Sequence, residues 1–157
     1  MIFLRPLNLN DITRLYEIRS NQLNFNKKYT KFDTSIVTRE GVKKWYFNFI
    51  NETNTIRLGI CLVNKNILIG CITLGKIDYK KKTCELHIYI DKKYQHKGYG
   101  KKSLKLLITY IKNIIKLKKI FLEVHKEHII AIKMYNKFGF EELSINNNDF
   151  IILYKNL

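Results

Sequence analysis

The sequence predicts a single-domain α/β fold of the α+β kind: a mixed, mostly antiparallel, twisted sheet of about seven strands flanked by four helices. Three patterns predict it. Apolar runs of strand length at 56–63, 67–74 and 83–90 are separated by short polar connections, which make neighbouring strands antiparallel. The third run enters a turn carrying Gly98 and Gly100, and beyond it Leu104, Leu107, Ile108, Ile111 and Ile115 recur at helical spacing. Another strand pattern at 119–124 follows that helix, and a crossover through a helix makes the two flanking strands parallel.

In chain order, residues 2–5 are expected as a short strand closed by Pro6. Asn10 or Asp11 caps a helix to about Asn21, with Ile12, Leu15, Tyr16 and Ile18 on its buried side. Residues 22–37 are polar and aromatic without a period and read as a long, mobile connection. Thr38 caps a second helix in which Val42, Trp45, Tyr46, Phe49 and Ile50 fall at i, i+3, i+4, i+7 and i+8. Such an aromatic stripe is more often core than a ligand box. After the three strands come the helix at about 99–117 and the strand at 119–124. A fourth helix covers about 129–138, with Ile129, Ile132, Met134 and Tyr135 inward, and Gly139 ends it. Strands at 140–145 and 150–154 close the chain as a hairpin. The order is β-α-α-β-β-β-α-β-α-β-β, with neither an internal repeat nor a linker, so one domain over 1–157 is expected.

Lysine and arginine number 29 against 13 acidic residues, a formal charge of +16. That balance favours anionic partners: coenzyme phosphates, nucleotide-linked substrates or RNA. Because the lysines are scattered, with short clusters at 80–82 and 116–119, a solvated face is the plainer reading and dedicated nucleic-acid binding is unlikely. Cys61, Cys71 and Cys84 each sit in a strand-like run, without metal-ligand spacing, as small core hydrophobes in a reducing compartment. The first residues carry no signal-peptide pattern, and no apolar run approaches the roughly 20 residues of a membrane span. A cytoplasmic protein without a membrane partner is expected.

The stretch Tyr94-Gln95-His96-Lys97-Gly98-Tyr99-Gly100-Lys101 carries the chemistry. A helix start leaves about four N–H groups without intrahelical partners, and the helix dipole is positive there. Glycines let a ligand approach that backbone, so the turn suits an anion such as a pyrophosphate. It is not the dinucleotide fingerprint, which needs a third glycine where Ser103 stands, and it lacks the Lys-Ser/Thr pair of nucleotide-hydrolase loops. On this stretch alone, a phosphate cradle and a plain tight turn stand about level.

With the element order, Glu85-Leu86-His87-Ile88-Tyr89-Ile90 followed by the 94–100 turn resembles the acetyl-CoA signature of the GNAT superfamily of N-acetyltransferases. Val124, His128, Ala131, Tyr135, Lys137, Gly139 and Phe140 resemble its next conserved region. Leu4-Arg5-Pro6-Leu7 and the helix at 38–51 resemble the branch of ribosomal-protein, polyamine and amino-sugar acetyltransferases. The resemblance covers nearly the whole chain. It implies acetyl-CoA as cosubstrate and no metal. Backbone amides of Gln95, His96, Lys97, Gly98, Tyr99, Gly100 and Lys101 would hold the pyrophosphate. Ile88, Tyr89 and Ile90 would pair with the pantetheine arm beside splayed strands, and Tyr135 would face the thioester sulfur. His128 departs from the usual Asn but keeps a hydrogen-bond donor for the coenzyme. Arg19, Tyr29, His87 and the 22–37 connection would line the acceptor side.

A primary amine, with a pKa of about 10, must lose a proton before it attacks a thioester. A carboxylate, a His or a water chain can take it, and backbone N–H can stabilise the oxyanion. A tyrosine hydroxyl near sulfur can protonate the departing thiolate, and Tyr135 is the candidate acid. Glu85 is the candidate base; an exposed strand carboxylate is an equally weighted alternative. His87 shares its strand face, which makes a Glu–His relay conceivable, although a lone His is more often structural. The expected function is acetyl transfer to a primary amine by direct attack in a ternary complex. A nucleotide-linked amino sugar and a protein N-terminal amine rank first as acceptors. A polyamine ranks behind, because so few acidic residues supply an acidic cleft poorly. A non-catalytic basic RNA- or ribosome-binding module is the reading from another class, and a homodimer stays open.

Overall fold

A computed structural model describes residues 1–26, 29, 37–145 and 149–157, without the side chains of 22–26 and 145. The strands are β1 (Ile2–Pro6), β2 (Ile56–Leu62), β3 (Ile67–Asp78), β4 (Thr83–Ile90), β5 (Lys119–His125), β6 (Glu141–Ile145) and β7 (Phe150–Asn156). The helices are α1 (Ile12–Asn26), α2 (Arg39–Phe49), α3 (Tyr99–Tyr110) and α4 (Ile129–Lys137). Their order along the chain is the expected one. The sheet runs β1-β2-β3-β4-β5-β7-β6, antiparallel throughout except between β4 and β5.

That one parallel pair makes the site possible. It lasts for three residue pairs, Thr83 with Lys119, Cys84 with Ile120 and Glu85 with Phe121. Beyond them β4 stays paired to β3 as far as Ile90, and β5 stays paired to β7 as far as His125. The two strands therefore part after Glu85, and among the described residues β4 has no strand partner on that side from Leu86 onward.

Strand alternation divides the core. Leu58, Ile60, Ile72, Leu74 and Leu86 pack with Leu104, Leu107 and Ile111 of the α3 segment and with Tyr135 of α4. On the other face Cys61 and Leu68 pack with Leu15 and Ile18 of α1 and with Val42 and Tyr46 of α2. A fully buried Leu or Ile contributes about 1.5–3 kcal/mol. Leu15, Ile18, Leu104 and Leu107 therefore hold the helices on the sheet far more firmly than any surface pair.

Several boundaries differ from expectation. Asn8, not Asn10 or Asp11, begins the first helical segment. Its side chain accepts from the Asn10 N–H at 3.0 Å, while the Asp11 carboxylate accepts from the Asn8 N–H at 2.8 Å, a capping box on the short 3₁₀ turn Leu9–Asp11. Arg5 grips the same carboxylate with two 2.7 Å bonds. With no Gly or Pro to stop it, α1 runs past Asn21 to Asn26, so the front of the expected connection is helix. The rest of that connection, Tyr29 and Val37 apart, lies outside the described residues. Thr38 does cap α2, accepting from the Gly41 N–H at 2.9 Å. Strand β3 continues to Asp78 through a break in register between Gly75 and Asp78. The α3 segment changes to a π-helical turn over Ile111–Ile115 before Lys116, at φ 59°, ends it. Ile50 and Ile129, expected inward, are exposed because they sit at helix ends.

Cys61 and Cys84 are buried, and burial pushes the Cys84 thiol up to about 12. Cys71 is not a pure core residue; it lines the cleft described next. Among the described residues, no helix is long and apolar enough to cross a membrane.

Candidate active site

The exit of β4 is pinned before the turn begins. Asp91 is fully buried and accepts from the Arg14 guanidinium, from the Asn21 side-chain amide at 3.2 Å and from the Lys93 N–H at 3.3 Å. Arg14 also donates to the Leu68 carbonyl at 2.9 Å, so α1, β3 and the end of β4 share one ionic joint. The Gln95 side-chain amide then donates back to the Ile90 carbonyl at 2.8 Å, which folds the turn onto the strand. His96 and Gly98 take left-handed backbone conformations, at φ 58° and 77°. Gly98 starts α3 without a side-chain cap, so the first amides of that helix are left for a ligand. A Cβ at Gly98 would enter open space, and one at Gly100 would stand 3.4 Å from the Met134 sulfur. The turn could hold a pyrophosphate.

From there a cleft of about 970 Å³ passes between the parted strands and reaches Trp45 and Arg57 under α2. Every residue expected at the site lines it except Lys97. Lys97 turns away: its ammonium donates to the Lys93 carbonyl at 2.8 Å and lies over the Tyr94 ring, so only its backbone remains for a phosphate.

Tyr135 stands on the inner side of α4 with its ring edge against Phe140, 5.5 Å between centroids. It is 7% exposed, and burial holds its phenol well above the usual range, so the proton stays on oxygen. His128 stacks flat on Tyr29, with centroids 4.6 Å apart and planes 7° apart. Burial, then the neighbouring His125, lower its pKa, so the ring tends to stay neutral with one N–H donor.

On β4, Glu85 and His87 do meet: Nε2 of His87 is 3.1 Å from one Glu85 oxygen, and the Lys76 ammonium is 2.6 Å from the other. Burial pushes the Glu85 carboxyl up, but Lys76 and His87 outweigh it and hold the group below its ordinary value. Glu123, on β5, lines the same cleft.

Trp45, Arg57, Lys76, Glu123 and the Arg14–Asp91 joint were not foreseen at the site. The Arg19 guanidinium lies 4.0 Å above the Trp45 ring, and Arg57 lies 5.1 Å from Trp45 and 4.8 Å from Phe49. So Trp45 is not simply core; it is the platform for two cleft arginines. Its i+3 stripe was visible, but Arg57 lies on another element, and no local pattern joins them.

The model of the acetyltransferase (GNAT) domain matches residues 2–141. The chain belongs to the GNAT acetyltransferase family. It is 42% identical over 67 residues to a probable spermine N(1)-acetyltransferase of Bacillus subtilis subsp. natto, a match covering 41% of this chain and 44% of that one. The match thus spans under half of that relative's length. It is 27% identical over 143 residues to a spermidine N(1)-acetyltransferase of Vibrio cholerae, covering 88% and 78%. The crystal structure of the Vibrio cholerae spermidine N-acetyltransferase in complex with CoA and spermine superposes with a TM-score of 0.85, covering 99% of this chain and 95% of that one at 23% identity. That likeness establishes a shared GNAT fold.

For a GNAT protein the turn at Gly98 makes a direct prediction. Gly98→Val adds a branched side chain where no protein atom lies within 4 Å, at a backbone angle of 77° that costs an L-residue about 1–2 kcal/mol. Acetyl-CoA affinity should fall at least tenfold by calorimetry, with only a small drop in thermal midpoint. An unchanged affinity would place the coenzyme elsewhere.

Proposed function

We propose that this GNAT protein transfers an acetyl group from acetyl-CoA to a primary amine of an aliphatic polyamine such as spermidine or spermine, by direct attack in a ternary complex. The observation that carries the reading is one continuous cleft, which joins the uncapped start of α3 to Tyr135 and then to the carboxylates Glu85 and Glu123. The names carried by its relatives add support. Ranking acceptors by net charge put the polyamine last; the +16 is a whole-chain sum, whereas binding depends on charges at the cleft.

In this reading the amides of residues 95–101 hold the pyrophosphate, and the free edge of β4 at Ile88, Tyr89 and Ile90 takes the pantetheine arm as an added strand. The amine nitrogen bonds to the thioester carbon, and backbone N–H stabilises the oxyanion. As the carbon–sulfur bond breaks, Tyr135 gives its proton to the thiolate. Glu85 is a weak base for an amine of pKa about 10, so it works through water or His87 while pairing with the acceptor's cation. Arg19 and Tyr29 line the acceptor end, and a neutral His128 offers its N–H. Three free thiols and the use of acetyl-CoA suit a cytoplasmic setting.

A second reading has one specific observation behind it. Arg57 lines the acceptor end, and its buried Nε finds no acceptor among the described residues. An amine that also carries an anionic group, as a nucleotide-linked amino sugar does, would supply one. Thiol release should be compared across spermidine, spermine, a nucleotide-linked amino sugar and a peptide N-terminal amine. The polyamines should lead by at least tenfold in kcat/KM; a higher value on the amino sugar would reverse the assignment.

A further inference from the structure

Lys76 sits where β3 loses register with β4, between Gly75 and Asp78, and takes a left-handed backbone at φ 49°. Outside glycine that conformation is uncommon, and bulges of this sort re-aim a side chain. Here the Lys76 chain is 81% exposed, yet its ammonium lands 2.6 Å from the Glu85 carboxylate, with Glu123 adding attraction from β5. Opposite Glu85 stands Gly75, whose missing side chain leaves no atom within 4 Å of where a Cβ would be. The carboxylate therefore faces space that an alkyl chain could enter. A lysine side chain is an aminobutyl group, the same group that forms one of the two ends of spermidine.

We propose that the Lys76 ammonium occupies the subsite in which a cationic acceptor pairs with Glu85, so that Lys76 competes with the acceptor and sets its affinity. The proposal rests on the acceptor reading above. Because the Lys76 half of the pair stands in solvent it gains little from the contact, and an incoming alkylammonium can displace it. Lys76 is thus a specificity-determining residue: it discourages single weak cations, whereas a polyamine, with further ammonium groups to place, displaces it.

The test compares the wild type with Lys76→Met, which keeps the chain and removes the charge, and Lys76→Arg, which keeps the charge. KM for spermidine should fall about two- to fivefold in Lys76→Met, the range expected when an ion pair with one solvent-exposed partner no longer competes. KM for acetyl-CoA should not move, and Lys76→Arg should match the wild type. A spermidine KM that is unchanged or higher in Lys76→Met overturns the proposal. If the wild type and Lys76→Met both bind acetyl-CoA but acetylate no polyamine, the polyamine reading fails separately. A carboxyl NMR titration of the CoA-bound proteins with n-butylammonium then decides: tighter binding by Lys76→Met sustains the competition, and equal or weaker binding ends it.

Discussion

Tyr135→Phe should lower kcat by about 10²–10⁴, the usual contribution of a positioned acid, while acetyl-CoA affinity changes less than twofold. The substitution removes one oxygen and keeps the ring that packs against Phe140, so the thermal midpoint should hold. The size of the effect follows from the leaving group. A thiol of pKa about 8.5 departs as a thiolate, which gains from a proton donor beside the sulfur. Burial keeps the Tyr135 phenol protonated well beyond the ordinary tyrosine range, so in the proposed reaction the proton is still on oxygen when the thiolate leaves, although the same shift makes the phenol a weaker acid. The same shift fixes the pH profile: kcat/KM should rise from pH 7 toward the amine pKa of about 10, with no falling limb from Tyr135 over that span. A rate within threefold of the wild type would remove the tyrosine from the chemistry.

Asp91→Ala should cost about 3–5 kcal/mol in urea unfolding, the range for breaking a buried ion pair from one side. Asp91 has no exposure at all, and three donors converge on it. Its loss strands the half-buried Arg14, whose charge burial opposes and the bonds to Glu17 and Asp91 sustain. Glu17 still pairs with Arg14 at 2.7 Å, which places the expectation toward the lower end. The joint also holds the strand exit that leads into the Gln95–Lys101 turn, so KM for acetyl-CoA should rise with the loss of stability. Asp91→Asn keeps two of the acceptor geometries and should lie between. A loss below 1 kcal/mol would show that the joint is not what positions the turn.

How much of this could be read from the chain depended on whether the signal was local. The β4–turn–α3 unit was legible because apolar alternation, two glycines and a helical period follow one another within about 30 residues. Thr38 and Gly139 were legible as a cap and a stop because their side chains, or lack of one, dictate backbone geometry. The break at Lys76 was not, because nothing in a lysine announces a left-handed backbone. The role of Asp91 was not legible either, because its partners Arg14 and Asn21 lie 77 and 70 residues away. Arg57 and Trp45 came from two separate patterns that only the folded sheet brings together. Total charge is a poor guide to the acceptor for the same reason, since both signs line the cleft, where Glu85 and Glu123 stand with Arg19, Arg57 and Lys76.

A calorimetric titration of the wild-type protein with acetyl-CoA, repeated with spermidine present, tests the whole account most directly. It predicts saturable one-site binding at micromolar concentration, with thiol released and monoacetylated polyamine formed once spermidine is added. No binding up to high micromolar acetyl-CoA, with salt-sensitive RNA binding in its place, would contradict it.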